Sequence, residues 1–186
     1  MAPHDLVAPQ PVESEVIIET RGLSRVYPGV TALDNVNYRV YRNKVNVLIG
    51  ENGAGKSTMM KMLAGVETPS SGQIILDGEA VTLNSTHQAE KFGISIIFQE
   101  LNLFPNMNVM DNIFMANEFF QKGRINEKYQ YALAKSLLER LELDVDPYTP
   151  LGELGIGHQQ LVEIARALSK DTRVLIMDEP TSALSQ

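Results

Sequence analysis

Short apolar runs rich in β-formers recur at residues 16–20, 37–41, 45–49, 73–76, 94–98 and 174–177, the length and composition expected of strands. Between them lie stretches of good helix formers at 56–64, with Gly65 as a stop, and at 161–168. This alternation predicts an α/β domain built around a sheet. Between residues 108 and 143 the strand pattern lapses and helical stretches at 110–120 and 127–141 take over. A mostly helical subdomain over about 105–170 is therefore expected, with Pro147 and Pro150 marking the loop that leaves these helical stretches. Residues 1–15, with Pro3, Pro9 and Pro11 and little periodicity, are expected to form a flexible N-terminal tail, with the domain proper over 16–186.

Composition narrows the partners. The 186 residues are 44% hydrophobic and 21% charged, ordinary for a globular domain, and carry a net charge of −7. That balance argues against charge-driven binding to nucleic acid, so no nucleic-acid partner is expected. Cysteine is absent, which excludes disulfides and thiolate metal sites. The apolar runs are far shorter than the roughly 20 residues that cross a bilayer, and residues 1–10 do not form a basic-then-apolar leader. A cytoplasmic location is the expectation.

The chemistry begins at Gly50-Glu51-Asn52-Gly53-Ala54-Gly55-Lys56-Ser57-Thr58. The segment fits G-x-x-x-x-G-K-[ST] and falls between an expected strand and an expected helix, the context the motif requires. Its glycines allow the backbone N–H groups to converge on phosphate, and the helix start adds its positive dipole end. Lys56 is expected to reach the β- and γ-phosphates of ATP, and Ser57 to place its hydroxyl on a Mg2+ ion. A glycine-rich turn that merely starts a helix is the plainer alternative, but it would leave the Lys-Ser pair without purpose. At the other end, the run 174–177 is followed by Asp178-Glu179, an apolar strand that delivers two acids to a sheet edge. Asp178 suits the magnesium shell, and Glu179 suits the base that polarises an attacking water. An Asp-Glu turn before Pro180 is the alternative when the pair is taken in isolation.

With these motifs in place, the chain resembles the ATPase subunits of ABC transporters, over essentially residue 16 to the end. Tyr27 stands where that family places an aromatic residue to stack on adenine, although a core-packing tyrosine would look the same. Gln99, after the 94–98 run, matches the family's Q-loop glutamine, which contacts magnesium and water. Leu154-Gly155-Ile156-Gly157-His158-Gln159-Gln160 stands where the signature LSGGQ opens a helix, and Pro180-Thr181-Ser182-Ala183-Leu184 resembles the loop that crosses the family's dimer interface. The resemblance implies a P-loop NTPase fold of the ABC ATPase type with a helical subdomain. It also implies that Gly155 and Gly157 grip the γ-phosphate of nucleotide held by a second ATPase module in a head-to-tail dimer.

Tyr27-Pro28-Gly29-Val30-Thr31-Ala32-Leu33, Gln99-Glu100-Leu101-Asn102-Leu103 and Val162-Glu163-Ile164-Ala165-Arg166-Ala167-Leu168 resemble segments of ribose- and galactose-type sugar importers in particular. Membrane permease subunits are then implied as direct partners, with residues 104–120 as the contact. A sugar-binding protein outside the membrane is implied indirectly, and the chain would sit on the inner face of the membrane through the permease. Against the common signature, Gly155 replaces a serine, Ile156 a glycine and His158 a glutamine. The lost hydroxyl removes one contact to a charged group, worth about 1.5–3 kcal/mol. The family's switch histidine would fall past Gln186, and His4, His87 and His158 do not stand in for it. The expectation is a C-terminally incomplete first ATPase module. Either it energises sugar import, or it is a catalytically impaired nucleotide-binding fragment that pairs with a full-length ATPase.

Overall fold

A computed structural model describes residues 15–178. The chain divides into two compact units, Met1–Asn84 and Ser85–Gln186, and each is taken by itself.

The first unit is an antiparallel sheet with one helix. β1 (Val16–Tyr27) and β2 (Val30–Tyr41) form a long hairpin, joined by β3 (Ser71–Leu76) and β4 (Glu79–Val81) in the order β2-β1-β3-β4. The expected runs at 16–20 and 37–41 are thus the ends of two twelve-residue strands. β1 buries Ile17, Ile18, Thr20 and Leu23 almost completely; Ile18 and Thr20 keep the alternation of a half-covered sheet, and the spacing to Leu23 is three. Thr20 is tolerated there because its Oγ1 donates to Val36 O (3.1 Å) and accepts from Tyr38 N–H (2.9 Å). The pairing of β1 slips in register around Gly22, a bulge at a residue with φ of 60°. α1 (Lys56–Leu63) buries Met59, Met62 and Leu63 and is capped by Ala64; Gly65 follows with a φ of 70°, the left-handed stop its position predicts.

One expected strand is not there. Residues 45–49 pair with no strand among the described residues, and Val45, Val47 and Ile49 are 93%, 66% and 88% exposed. A β-forming sequence becomes a strand only where a neighbouring strand accepts its backbone groups. Here the local contacts run otherwise: Asn46 Oδ1 accepts from Tyr41 N–H (3.0 Å), while its Nδ2 donates to Tyr41 O (3.0 Å) and Lys44 O (3.1 Å).

The second unit pairs a two-stranded parallel sheet with a helical cluster. β5 (Ile94–Ile97) and β8 (Val174–Met177) run parallel in the register Ile94↔Val174 to Ile97↔Met177. α2 (Thr86–Lys91) leads into β5, and Lys170 pairs with Glu90 beside it. α3 (Val109–Phe114), α4 (Glu127–Arg140) and α5 (Ile156–Leu168) close around Val109, Ile113, Phe114, Leu137, Leu138 and Val162. Asn112, 1% exposed, ties the preceding loop to α3 by accepting from Phe104 N–H (2.8 Å) and donating to Phe104 O (3.0 Å). The helix expected over 110–120 stops at Phe114. Ala116 takes a φ of 60°, and the chain then turns into the hairpin β6 (Phe120–Gln121) and β7 (Arg124–Ile125). Its two-residue loop, Lys122 (φ 53°) and Gly123 (φ 76°), has the doubly positive geometry that matches strand twist. Among the described residues, no helix is long and apolar enough to cross a membrane.

Candidate functional site

In the first unit the loop 50–55 turns on two glycines in left-handed conformation, Gly53 (φ 84°) and Gly55 (φ 81°). Gly55 is also fixed by space: a Cβ there would meet Ala32 O at 2.4 Å and the Leu33 side chain at 3.1 Å. Only glycine fits both constraints. Lys56 folds its side chain back over the loop, donating from Nζ to Gly50 O (2.7 Å) and Glu51 O (2.8 Å). The ammonium is thus held by the two carbonyls that begin the loop. Ser57 and Thr58 occupy the first turn of that helix, with Ser57 exposed.

The helix starts differ in a telling way. Ser85 caps α2, Asn108 caps α3 and Asn126 caps α4, each side chain accepting a backbone N–H of the first turn, so those donors are satisfied from within. α1 and α5 begin instead on Gly55 and Gly155, without a side-chain cap and without an acid in the first turn. Neither start is closed by a side chain, and the helix dipole favours an anion there. These are the two helices that open on the phosphate loop and on the signature-like segment. α5 starts at Ile156, five residues before the expected 161–168, so Gly157 and His158 lie in its first turn. Gln159 Nε2 donates to Leu154 O (2.8 Å) and fixes the entry into the helix.

In the second unit Gln99 and Asp178 are brought to one edge. They follow the paired strands β5 and β8, and Asp178 N–H donates to Ile97 O (3.1 Å), continuing the ladder past Met177. Gln99 is exposed and lines a cavity of about 430 Å3 with Phe98, Gly157, His158 and Glu163. Gln99 and the signature-like helix start therefore line the same cavity. Glu179, the expected base, and the segment 180–184 lie outside the described residues. Tyr27 closes β1 in the first unit, half-buried, with its hydroxyl on Glu67. Among the described residues no three of His, Asp and Glu converge.

Reading by motif passes over two side chains of α5. Glu163, 7% exposed, accepts from Asn102 N–H at Oε1 (3.4 Å), and Arg166 Nη1 donates to Asn102 O (2.8 Å). Together they hold the segment after Gln99 against the helix. The available signal is an acid set between Val162 and Ile164 in a helix whose neighbours are apolar. Burial pushes the Glu163 carboxyl above the usual range, opposed by the Asn102 hydrogen bond and the Arg166 charge, and its Oε2 has no partner. A carboxyl raised by folding stabilises fully below its unfolded value and loses that contribution as pH rises through the folded value. Glu163→Gln keeps the acceptor and removes the charge. It is expected to melt above the parent at pH 8, with the gap closing toward pH 4; thermal unfolding at the two pH values checks this.

These features define a class. A profile of the ABC transporter family matches residues 33–182, and the chain belongs to that family. Among its relatives, the xylose import ATP-binding protein XylG of Thermoanaerobacter pseudethanolicus is 50% identical over 175 residues, covering 93% of this chain and 35% of that protein. The L-arabinose transport ATP-binding protein AraG of Geobacillus stearothermophilus is 49% identical over 175 residues, covering 93% and 34%. The ribose import ATP-binding protein RbsA of Rhodopirellula baltica is 46% identical over 176 residues, covering 94% and 34%. The chain thus spans about a third of the length of these relatives. Among solved structures, MJ1267 in its ADP conformation, an ATP-binding cassette of an ABC transporter, superposes with a TM-score of 0.75 at 26% identity, covering 90% of this chain and 70% of that one. CbiO1 of Clostridium perfringens, part of the ABC transporter complex cbiONQ, gives 0.76 at 29%, covering 90% and 67%. The α/β fold expected from the alternation of strands and helices is that of the ABC ATPase cassettes.

Proposed function

We propose that this chain is an ATP-binding and ATP-hydrolysing module that energises sugar import. The observation that carries the reading is the loop at Gly50 to Thr58: two left-handed glycines, Lys56 drawn over its mouth, and an uncapped helix behind it. The xylose, arabinose and ribose importers among the relatives supply the substrate class. Lys56 and the loop N–H groups hold the β- and γ-phosphates, and Ser57, Gln99 and Asp178 furnish oxygens to the magnesium shell or its waters. Glu179 takes the proton of the attacking water. Tyr27 stacks on the base. Catalysis is then positioning and charge stabilisation, as in other phosphoryl transfers.

Gly155 and Gly157 open a second uncapped helix, which serves the γ-phosphate of nucleotide bound to another module. The module therefore works as one of a head-to-tail pair docked on permease subunits through residues 104–120, at the inner face of the membrane, with a sugar-binding protein delivering substrate from outside. Turnover by the purified chain tests the pairing. The rate is expected to require magnesium and to rise more steeply than linearly with protein concentration, because each site is completed by a second copy. ATP binding without any such turnover would overturn hydrolysis by this chain and leave a nucleotide-binding remnant.

A further inference from the structure

The surroundings of Tyr27 go beyond what the family resemblance assigns. The ring sits at the end of β1, where Tyr27 pairs with Val30 across the Pro28-Gly29 turn, so its backbone is fixed. The Arg25 guanidinium lies over the ring, 4.8 Å from its centroid. One hydrogen bond and one ion pair hold that guanidinium: Nη1 donates to Thr68 O (2.7 Å), and Nε lies 3.3 Å from Glu67 Oε2, close enough for charge attraction but without hydrogen-bond geometry. The same Glu67 oxygen accepts from the Tyr27 hydroxyl. Arginine, tyrosine and glutamate therefore close a triangle, with the Arg25 and Glu67 side chains 24% and 20% exposed. One face of the Tyr27 ring is occupied by a planar cation that cannot swing away without breaking contacts to both Thr68 and Glu67.

We propose that Arg25 is a positioning residue of the base subsite, locking the Tyr27 ring through Glu67 and covering one face so that a nucleobase stacks only on the other. The inference rests on the reading of Tyr27 as the platform for the base. A preset ring needs no ordering when the nucleotide arrives, and the loss of that preorganisation appears as weaker binding. A guanidinium over an aromatic face contributes in the range that corresponds to about three- to fivefold in affinity. Loss of a base-stacking ring corresponds to about tenfold or more.

The test is calorimetric titration of the full chain with ATP and, separately, with inorganic tripolyphosphate, which has no base. Arg25→Ala is expected to weaken ATP about three- to fivefold and Tyr27→Ala about tenfold, with tripolyphosphate unchanged in both. The double variant is expected to bind ATP no more weakly than Tyr27→Ala alone, since the arginine acts through the ring. Arg25→Lys, which retains the charge beside Glu67, is read in its place if Arg25→Ala does not fold, and is expected to show the same ATP-only loss at about twofold. Parental ATP affinity in the arginine variant, with Tyr27→Ala weakened, would overturn the role of Arg25 and leave Tyr27 as the platform. Equal losses for ATP and tripolyphosphate would overturn it too, marking a general disturbance of β1. Parental affinity in Tyr27→Ala would remove the base platform, and the inference with it.

Discussion

Lys56→Ala is expected to reduce ATP affinity by at least about a hundredfold in calorimetry at physiological salt, while lowering thermal stability only slightly. The size follows from the two contacts to charged phosphate oxygens that the ammonium is placed to make, each worth about 1.5–3 kcal/mol, with tenfold in affinity per 1.4 kcal/mol. The asymmetry between binding and stability follows from what the lysine does without ligand. Its Nζ bonds are to Gly50 O and Glu51 O of its own exposed loop, and such bonds contribute about 1 kcal/mol net, a few degrees in Tm for a domain of this size. Lys56→Arg separates charge from shape. The broader guanidinium fork does not fit where a compact ammonium is gripped by two carbonyls of a tight loop, so it too is expected to bind weakly. Undiminished affinity in Lys56→Ala would show that the loop is a helix start and nothing more.

How much of this was legible in the sequence depends on the range of the forces involved. The phosphate loop was readable because glycine at a left-handed position and a lysine beside a helix start are local demands. Gly55 is fixed by its own φ, and the contact with Ala32 reinforces what the motif already required. The stop at Gly65 and the two short strands that precede Gln99 and Asp178 were readable for similar reasons, but not their parallel pairing. The expected strand at 45–49 was not, because its alternation is local while a ladder partner is not, and no described strand lies against it. The helix over 110–120 ended early: Met115 leaves helical geometry with ψ of 126° and Ala116 takes a positive φ, which redirects the chain into a hairpin. Least legible were contacts between distant segments. Glu163 and Arg166 meet Asn102 across 61 and 64 residues, and Arg25 and Tyr27 reach Thr68 and Glu67 across 43 and 40. No pattern within a window of sequence reports such pairs.

Glu179→Gln is expected to slow ATP turnover by a factor of about a hundred to ten thousand, the usual contribution of a general base, while leaving ATP affinity within about twofold. The amide has the shape of the carboxylate and can still accept a hydrogen bond from water, but it cannot take the proton. Binding energy and chemistry therefore separate at this residue as they do not at Lys56. Asp178 supplies the internal contrast. It continues the β8 ladder through its N–H to Ile97 O, so Asp178→Asn preserves that backbone contact while weakening the magnesium shell. Raising magnesium should recover part of its turnover, and no magnesium concentration should recover Glu179→Gln. Rapid-quench turnover with nucleotide affinity measured in parallel distinguishes the cases. If Glu179→Gln turns over at the parental rate, the base lies elsewhere. If its affinity falls along with its rate, Glu179 acts through the nucleotide's metal rather than on the water, and the division of labour between the two adjacent acids is the reverse of the one proposed.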